Sequence, residues 1–273
     1  MGNSKKTSRL LTSPYIAWCL VFIIVPLMMI LFYGLTDEGG SFTLSNITAI
    51  AEPVHFRSLI LALILSVIST VICFFLAYPL GMILAKNRLS SQGIVTTLFI
   101  LPMWMNFLLR TLAWMTLLEN KGVVNGILEY LHLPGINVIN TPGAIVIGMV
   151  YNFLPFMILP IYNSLSRIDE NVINAARDLG ADAFQTFFKV TLPLTVPGII
   201  SGITMVFIPA LTTFAISTML GGSKILLIGN IIEQEFTLSY NWNRGAGLSI
   251  VLMVFIVINM VVSAVSDSKG EDR

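Results

Sequence analysis

The sequence predicts an all-α membrane protein with six transmembrane helices, and three observations carry that prediction. Of the 273 residues, 56% are hydrophobic and only 11% are charged, against about a quarter charged in a soluble domain. Mean hydropathy is +0.87, so too few polar side chains exist to face water on every side. Six separate stretches also supply the roughly 20 apolar residues that each helix needs to cross a bilayer. The same composition excludes other classes. A formal net charge of +1, without a clustered basic patch, argues against a nucleic-acid partner. Cys19 and Cys73 both lie inside apolar runs and read as small buried hydrophobes, not as a disulfide or a metal site. His55 and His132 stand alone in polar loops, and both are expected to be solvated.

A tail, residues 1–13, precedes the first span, Pro14–Leu35. Lys5, Lys6 and Arg9 give that start the look of a signal peptide. Its apolar core is too long, however, and no small-residue cleavage site follows, so it is read as a retained helix. The next spans are Ser58–Ala85, Ile94–Leu118, Thr141–Ser166, Thr195–Leu220 and Ala246–Ser266. Together they make one transmembrane domain over 14–266, followed by a tail at 267–273. Pro26, Pro79, Pro102, Pro155, Pro160 and Pro209 fall within spans, and each removes a backbone donor and invites a kink. Gly198-x-x-x-Gly202 opens the fifth span and lets a neighbouring helix approach closely. The apolar run Ile225–Ile232 is too short to cross. It is expected to lie along the interface or to dip back as a re-entrant turn covered by protein.

Orientation follows from the distribution of Lys and Arg. One set of segments holds Lys5, Lys6, Arg9, Lys86, Arg88, Arg167, Arg177, Lys189, Lys269 and Arg273; the opposite set holds only Arg57, Lys121, Lys224 and Arg244. Both termini and the loop 167–194 are therefore expected in the cytoplasm.

That loop is unlike a span. Ile168, Val172, Ala175, Ala176 and Leu179 recur at helical spacing as one apolar stripe, with Asn174, Arg177 and Asp178 off it. Asp169 suits an N-cap and Gly180 a C′ position. Asp182 can then cap a second short helix bearing Phe184, Phe187, Phe188 and Leu192, which Pro193 is expected to close before the fifth span. The bland alternative is an amphipathic connector resting on headgroups. A DNA-binding helix-turn-helix fits less well, because acids outnumber cations here and phosphate attraction is missing.

Asn174-Ala175-Ala176, then Gly180, Val190 and Leu192-Pro193, resemble the EAA loop of bacterial ABC-importer permeases. Asn174 stands where that pattern has Glu, and Val190 where it prefers Ile. Arg110-Thr-Leu-Ala-Trp114, the run from Gly148 through Pro155 to Pro160, Leu220-Gly-Gly222, Ile228-Gly-Asn230 and Asn241-Trp242 look like the PotB-type branch that serves spermidine and putrescine import. The resemblance spans the chain and implies the type I importer permease fold in a bacterial inner membrane. It assigns Asn174, Ala175, Ala176, Asp178, Gly180, Leu192 and Pro193 to a coupling helix that docks on a cytoplasmic ATPase. The implied partners are a PotA-like ATPase dimer, a PotC-like second permease and a PotD-like extracytoplasmic polyamine-binding protein. The chain itself is expected to need no cofactor, because ATP and magnesium would belong to the ATPase. Consistently, no Gly-x-x-x-x-Gly-Lys-[Ser/Thr] phosphate loop occurs in it, so the chain is not expected to be an enzyme. Thiamine, opines and iron are alternative cargoes. The segment after Pro209, Ala-Leu-Thr-Thr-Phe-Ala-Ile-Ser-Thr, is richer in hydroxyls than the polyamine branch leads one to expect.

A polyamine needs carboxylates for its charge and aromatic faces for its methylenes and ammonium groups. Glu119, Glu233 and Glu235, with Trp104, Trp114, Tyr151 and Trp242, are the path candidates near the outer side. For Trp104, Trp114 and Tyr151 core packing competes evenly, and Trp242 also suits an interfacial belt. The glutamates equally suit solvated loops. Arg110 lies within the third span, where a charge is functional by default; as a fixed cation it is expected to pair with a carboxylate or to snorkel outward. A gradient-driven transporter would need intramembrane acids, yet every Asp and Glu falls outside the six spans. A membrane enzyme would need a His or Asp beside the buried hydroxyls, and none stands nearby in sequence.

Overall fold

The structure is a computed structural model that describes residues 14–86 and 101–271. Among these residues the chain is helical, and its only strand-type pairing is an isolated antiparallel bridge between Thr36 and Phe42. The first helix, α1, is Pro14–Gly34, and α2 is Pro53–Lys86. Then come α3 (Phe107–Leu118), α4 (Val123–Tyr130), α5 (Pro142–Leu165) and α6 (Glu170–Asp178). The chain ends with α7 (Ala183–Thr212), α8 (Ala215–Leu220), α9 (Ile228–Thr237) and α10 (Trp242–Glu271). Among the described residues, five helices are long and apolar enough to cross a membrane: α1, α2, α5, α7 and the Trp242–Ser263 part of α10. The tail 1–13 and residues 94–100 of the expected third span lie outside the described residues. Its remainder is a 3-10 turn, Leu101–Trp104, followed by α3.

The expected loop-to-span boundary at Pro193 comes out differently. Pro193 does not close a short helix. It sits in the first turn of the apolar part of α7, and helical backbone runs unbroken from Ala183 to Thr212 through a π turn at Phe187–Thr191. Leu192 N–H donates to the Phe187 carbonyl five residues back. A proline cannot donate to the carbonyl four residues back and its ring clashes with it; the wider π turn moves that carbonyl aside. The same device recurs in α1, where a π turn at Leu20–Ile24 comes just before Pro26.

The fifth span also ends early. It breaks at Thr213 and Phe214, where Thr213 takes extended angles (φ −66°, ψ 139°), and resumes as α8. Asn230, 3% exposed, supplies the missing partners. Its Nδ2 donates to the Phe214 carbonyl at 3.1 Å and to Thr218 Oγ1 at 2.8 Å, while its Oδ1 accepts from Ser217 Oγ at 2.6 Å and Leu227 N–H at 3.0 Å. The run Ile225–Ile232 thus dips back against the broken helix, and Leu227 and Ile228 are fully buried. Irregular backbone at this depth is tolerated because protein covers it.

Contacts divide the chain into two compact units. The smaller joins the chain up to Phe56 with Ile231–Phe255. In it, Asn46 and Asn243 both donate to the Thr36 carbonyl, at 2.9 and 2.6 Å, tying off the end of α1. His55 belongs here and is not a solvated loop residue. It is 6% exposed in the first turn of α2, with Nδ1 2.7 Å from the Ala49 carbonyl.

The larger unit holds Arg57–Asn230 with the chain from Ile256 onward. Its core runs along α5, where Ile145, Met149, Met157, Ile158 and Ile161 are fully buried. The Gly198-x-x-x-Gly202 pair meets α5. A Cβ on Gly198 would stand 2.7 Å from the Pro160 carbonyl, and one on Gly202 2.7 Å from Met157 Sδ. Only glycine allows backbones this close.

Candidate functional site

The loop 167–194 folds as two helices hinged at a glycine, and every joint in it has a local cause. Asp169 caps α6 by accepting from Asn171 N–H at 2.9 Å. Glu170 in the first turn and Arg177 in the last complement the helix dipole. Gly180 then takes φ +86°, a left-handed angle that costs a residue with a Cβ about 1–2 kcal/mol. Gly180 N–H donates to the Arg177 carbonyl and Ala181 N–H to the Ala176 carbonyl, the paired bonds of a Schellman ending. Asp182 opens α7 with a reciprocal capping box: Gln185 N–H donates to Asp182 Oδ1 at 2.7 Å, and Asp182 N–H to Gln185 Oε1 at 3.4 Å.

Among the described residues, nothing of the chain covers the apolar face of this hairpin. No residue of α6 is buried. Leu179 is 89% exposed, Phe184 71% and Val172 45%. Asn174, Ala175, Asp178 and Pro193 are exposed as well, while Ala176 and Leu192 are half-buried. Behind the hairpin lies a cleft of about 1090 Å³ whose walls include Lys86, Tyr162, Asp169, Asn174, Arg177 and Thr186. Phe187 does not share the free face of Phe184. Its ring meets Tyr78 of α2 edge-on, 5.7 Å between centroids. Tyr78 carried no signal in the sequence, being one aromatic in a long apolar run.

The outer path candidates fall in both compact units. In the larger one, Trp114 and Tyr151 pack edge to face at 5.2 Å. Trp104 is 81% exposed, and Glu119 caps the C-terminal end of α3 in an exposed position. Arg110, in the first turn of α3, is only 8% exposed. In the smaller unit, Glu233 and Glu235 sit on α9 and not on a loop. Glu233 accepts from Thr237 Oγ1 at 3.0 Å. The Glu235 side chain is 16% exposed, 3.9 Å from Arg244, and Arg244 also forms an ion pair with Glu52. Trp242 packs edge-on to Phe236 at 5.5 Å and tilted against Tyr33 at 6.3 Å. Glu52, Arg244, Tyr33 and Phe236 were not anticipated, because their partners lie too far off in sequence for any spacing rule to join them. A guanidinium already occupies the place beside Glu235 that an ammonium group would take.

Residues 77–268 match the family described as binding-protein-dependent transport system inner membrane components. The chain is similar to the spermidine/putrescine transport system permease protein PotB of Haemophilus influenzae, 37% identical over 95% of this chain and 93% of that protein. It is likewise 37% identical to PotB of Escherichia coli over 90% of this chain and 93% of the relative. Among solved structures, a subunit of a bacterial ABC transporter that imports the acidic polysaccharide alginate shares the fold, with a TM-score of 0.76 and 18% identity over 98% of this chain and 96% of that one.

Proposed function

The chain belongs to the inner membrane components of binding-protein-dependent transport systems, and from that membership we propose that it is a permease subunit of a polyamine importer. It is a multi-pass inner-membrane protein with the fold of ABC-importer permeases. It is a transport subunit and not an enzyme; in such systems the ATPase and the periplasmic binding protein are separate subunits. The observation that carries the polyamine assignment is 37% identity to a spermidine/putrescine permease along 95% of the chain. A TM-score match at 18% identity supports the fold alone.

In this reading a PotC-like chain completes the path, a PotA-like ATPase dimer binds ATP and magnesium beneath it, and a PotD-like protein delivers spermidine or putrescine from outside. Both termini face the cytoplasm. The uncovered face of α6 and the start of α7, with Asn174, Ala175, Ala176, Asp178, Gly180, Leu192 and Pro193, is the ATPase-docking surface. Its exposed apolar side chains, Leu179 and Phe184, support that use, since large apolar groups standing free in water mark contact sites. The path candidates are Trp104, Trp114, Tyr151, Glu119, Glu233, Glu235 and Trp242. Arg110 serves structure or gating.

Uptake of labelled spermidine and putrescine into cells lacking this chain, and then complemented with it, tests the assignment. Restored uptake of either supports it. No restoration, combined with copurification of an ATPase, rejects the polyamine cargo while leaving the permease role intact; thiamine, opines and iron chelates are the competitors to try next.

A further inference from the structure

We infer that the contact between Tyr78 and Phe187 is the joint through which the loop 167–194 moves the long helix α2. The inference rests on the reading of that loop as the ATPase-docking surface. Aromatic rings connect the free face to the membrane interior without a gap. Phe184, 71% exposed, packs 4.5 Å from Phe188. Phe188 meets Phe187 at 4.8 Å and 89°, and Phe187 meets Tyr78 at 5.7 Å and 85°. Tyr78 is 5% exposed, and the next aromatic along α2, Phe74, lies 5.7 Å from it. The Tyr78 hydroxyl shares a 2.9 Å hydrogen bond with Thr195 Oγ1, which fixes the ring against α7 just beyond its π turn.

Three features give this chain of rings a direction. First, α7 is locked to α5 by the backbone approach at Gly198 and Gly202, so those two helices move as a pair. Second, Phe187 opens the π turn Phe187–Thr191, at the point where the docking segment becomes a membrane helix; such turns are frequent at functional positions. Third, edge-to-face rings lose both quadrupole and dispersion energy when they slide, so the pair resists shear as well as compression. A push on Phe184 and Phe188 therefore reaches α2 at Tyr78. Energetic coupling of this kind travels through packed side chains, and Tyr78 and Phe187 act as positioning residues for transport.

The test uses the assembled importer in liposomes, with spermidine taken up per ATP hydrolysed as the readout. Tyr78→Leu and Phe187→Leu should each lower that ratio about fivefold, the scale of coupling changes seen along such contacts, while the ATPase still copurifies. The double variant should be no worse than either single one, and Tyr78→Phe, which keeps the ring, should stay within about twofold of wild type. An unchanged ratio with the ATPase bound overturns the inference alone. So do additive losses, or losses that merely follow the yield of assembled complex. Failure of the ATPase to copurify with the wild-type chain overturns the docking reading and the inference with it.

Discussion

At the scale of single residues, Asn230 and Gly180 show how one position can hold a special backbone. Asn230 satisfies both its donors and its acceptor at the break after Thr212. Asn230→Leu leaves the buried Leu227 N–H without its acceptor, at about 1–3 kcal/mol for a group left unpaired. Thermal unfolding of the purified complex should start markedly lower, and Asn230→Asp, which keeps the acceptor only, should fall between. Gly180→Ala should weaken the hairpin by about 1–2 kcal/mol through its left-handed φ. Gly180→Pro should do worse, because it also removes the N–H bonded to the Arg177 carbonyl. Copurification of the ATPase measures both: reduced for Ala, lost for Pro. Full retention with Pro would sink the docking assignment. Gly180 was legible as a helix stop from its place between an amphipathic stripe and Asp182. His55 was not legible, because its burial depends on the Ala49 carbonyl and no local pattern announces that.

At the scale of elements, the apolar periodicity located helices well and their ends poorly. Long apolar runs leave no choice but helix in lipid, where each backbone group needs an internal partner. Helix ends depend on other matters. α2 extends to 34 residues, about 51 Å at 1.5 Å per residue, well beyond a hydrocarbon core of about 30 Å. Pro193 seemed a terminator until the π turn ahead of it absorbed the clash. The α5–α7 contact offers a clean measurement: Gly202→Leu should lower complex yield and thermal stability by overpacking against Met157, at about 1–3 kcal/mol. Met157→Ala in the same chain should restore part of it. If the two substitutions add independently, the close approach at Gly202 is not what joins these helices.

At the scale of the whole molecule, the proposed orientation rests on the distribution of Lys and Arg, and cysteine labelling tests it directly. In a Cys19→Ser, Cys73→Ser background, Asp178→Cys should react with a membrane-impermeant maleimide only when the cytoplasmic face is opened. Leu238→Cys, 72% exposed in the wild type, should react in intact spheroplasts. The reverse pattern would invert the topology and move the loop 167–194 away from any ATPase.

Sequence by itself determined that this chain lives in a membrane, that it is helical, and that one polar loop folds as two capped helices hinged at Gly180. Those follow from hydropathy, periodicity and caps, all of which act within a few residues. The tertiary structure decided where the fifth span breaks, that Tyr78 meets Phe187, and that Glu235 already has Arg244 for company. Each of these pairs residues across sequence gaps that periodicity does not see. Such partners are chosen by which faces the folded helices bring together, and that is a property of packing and not of spacing.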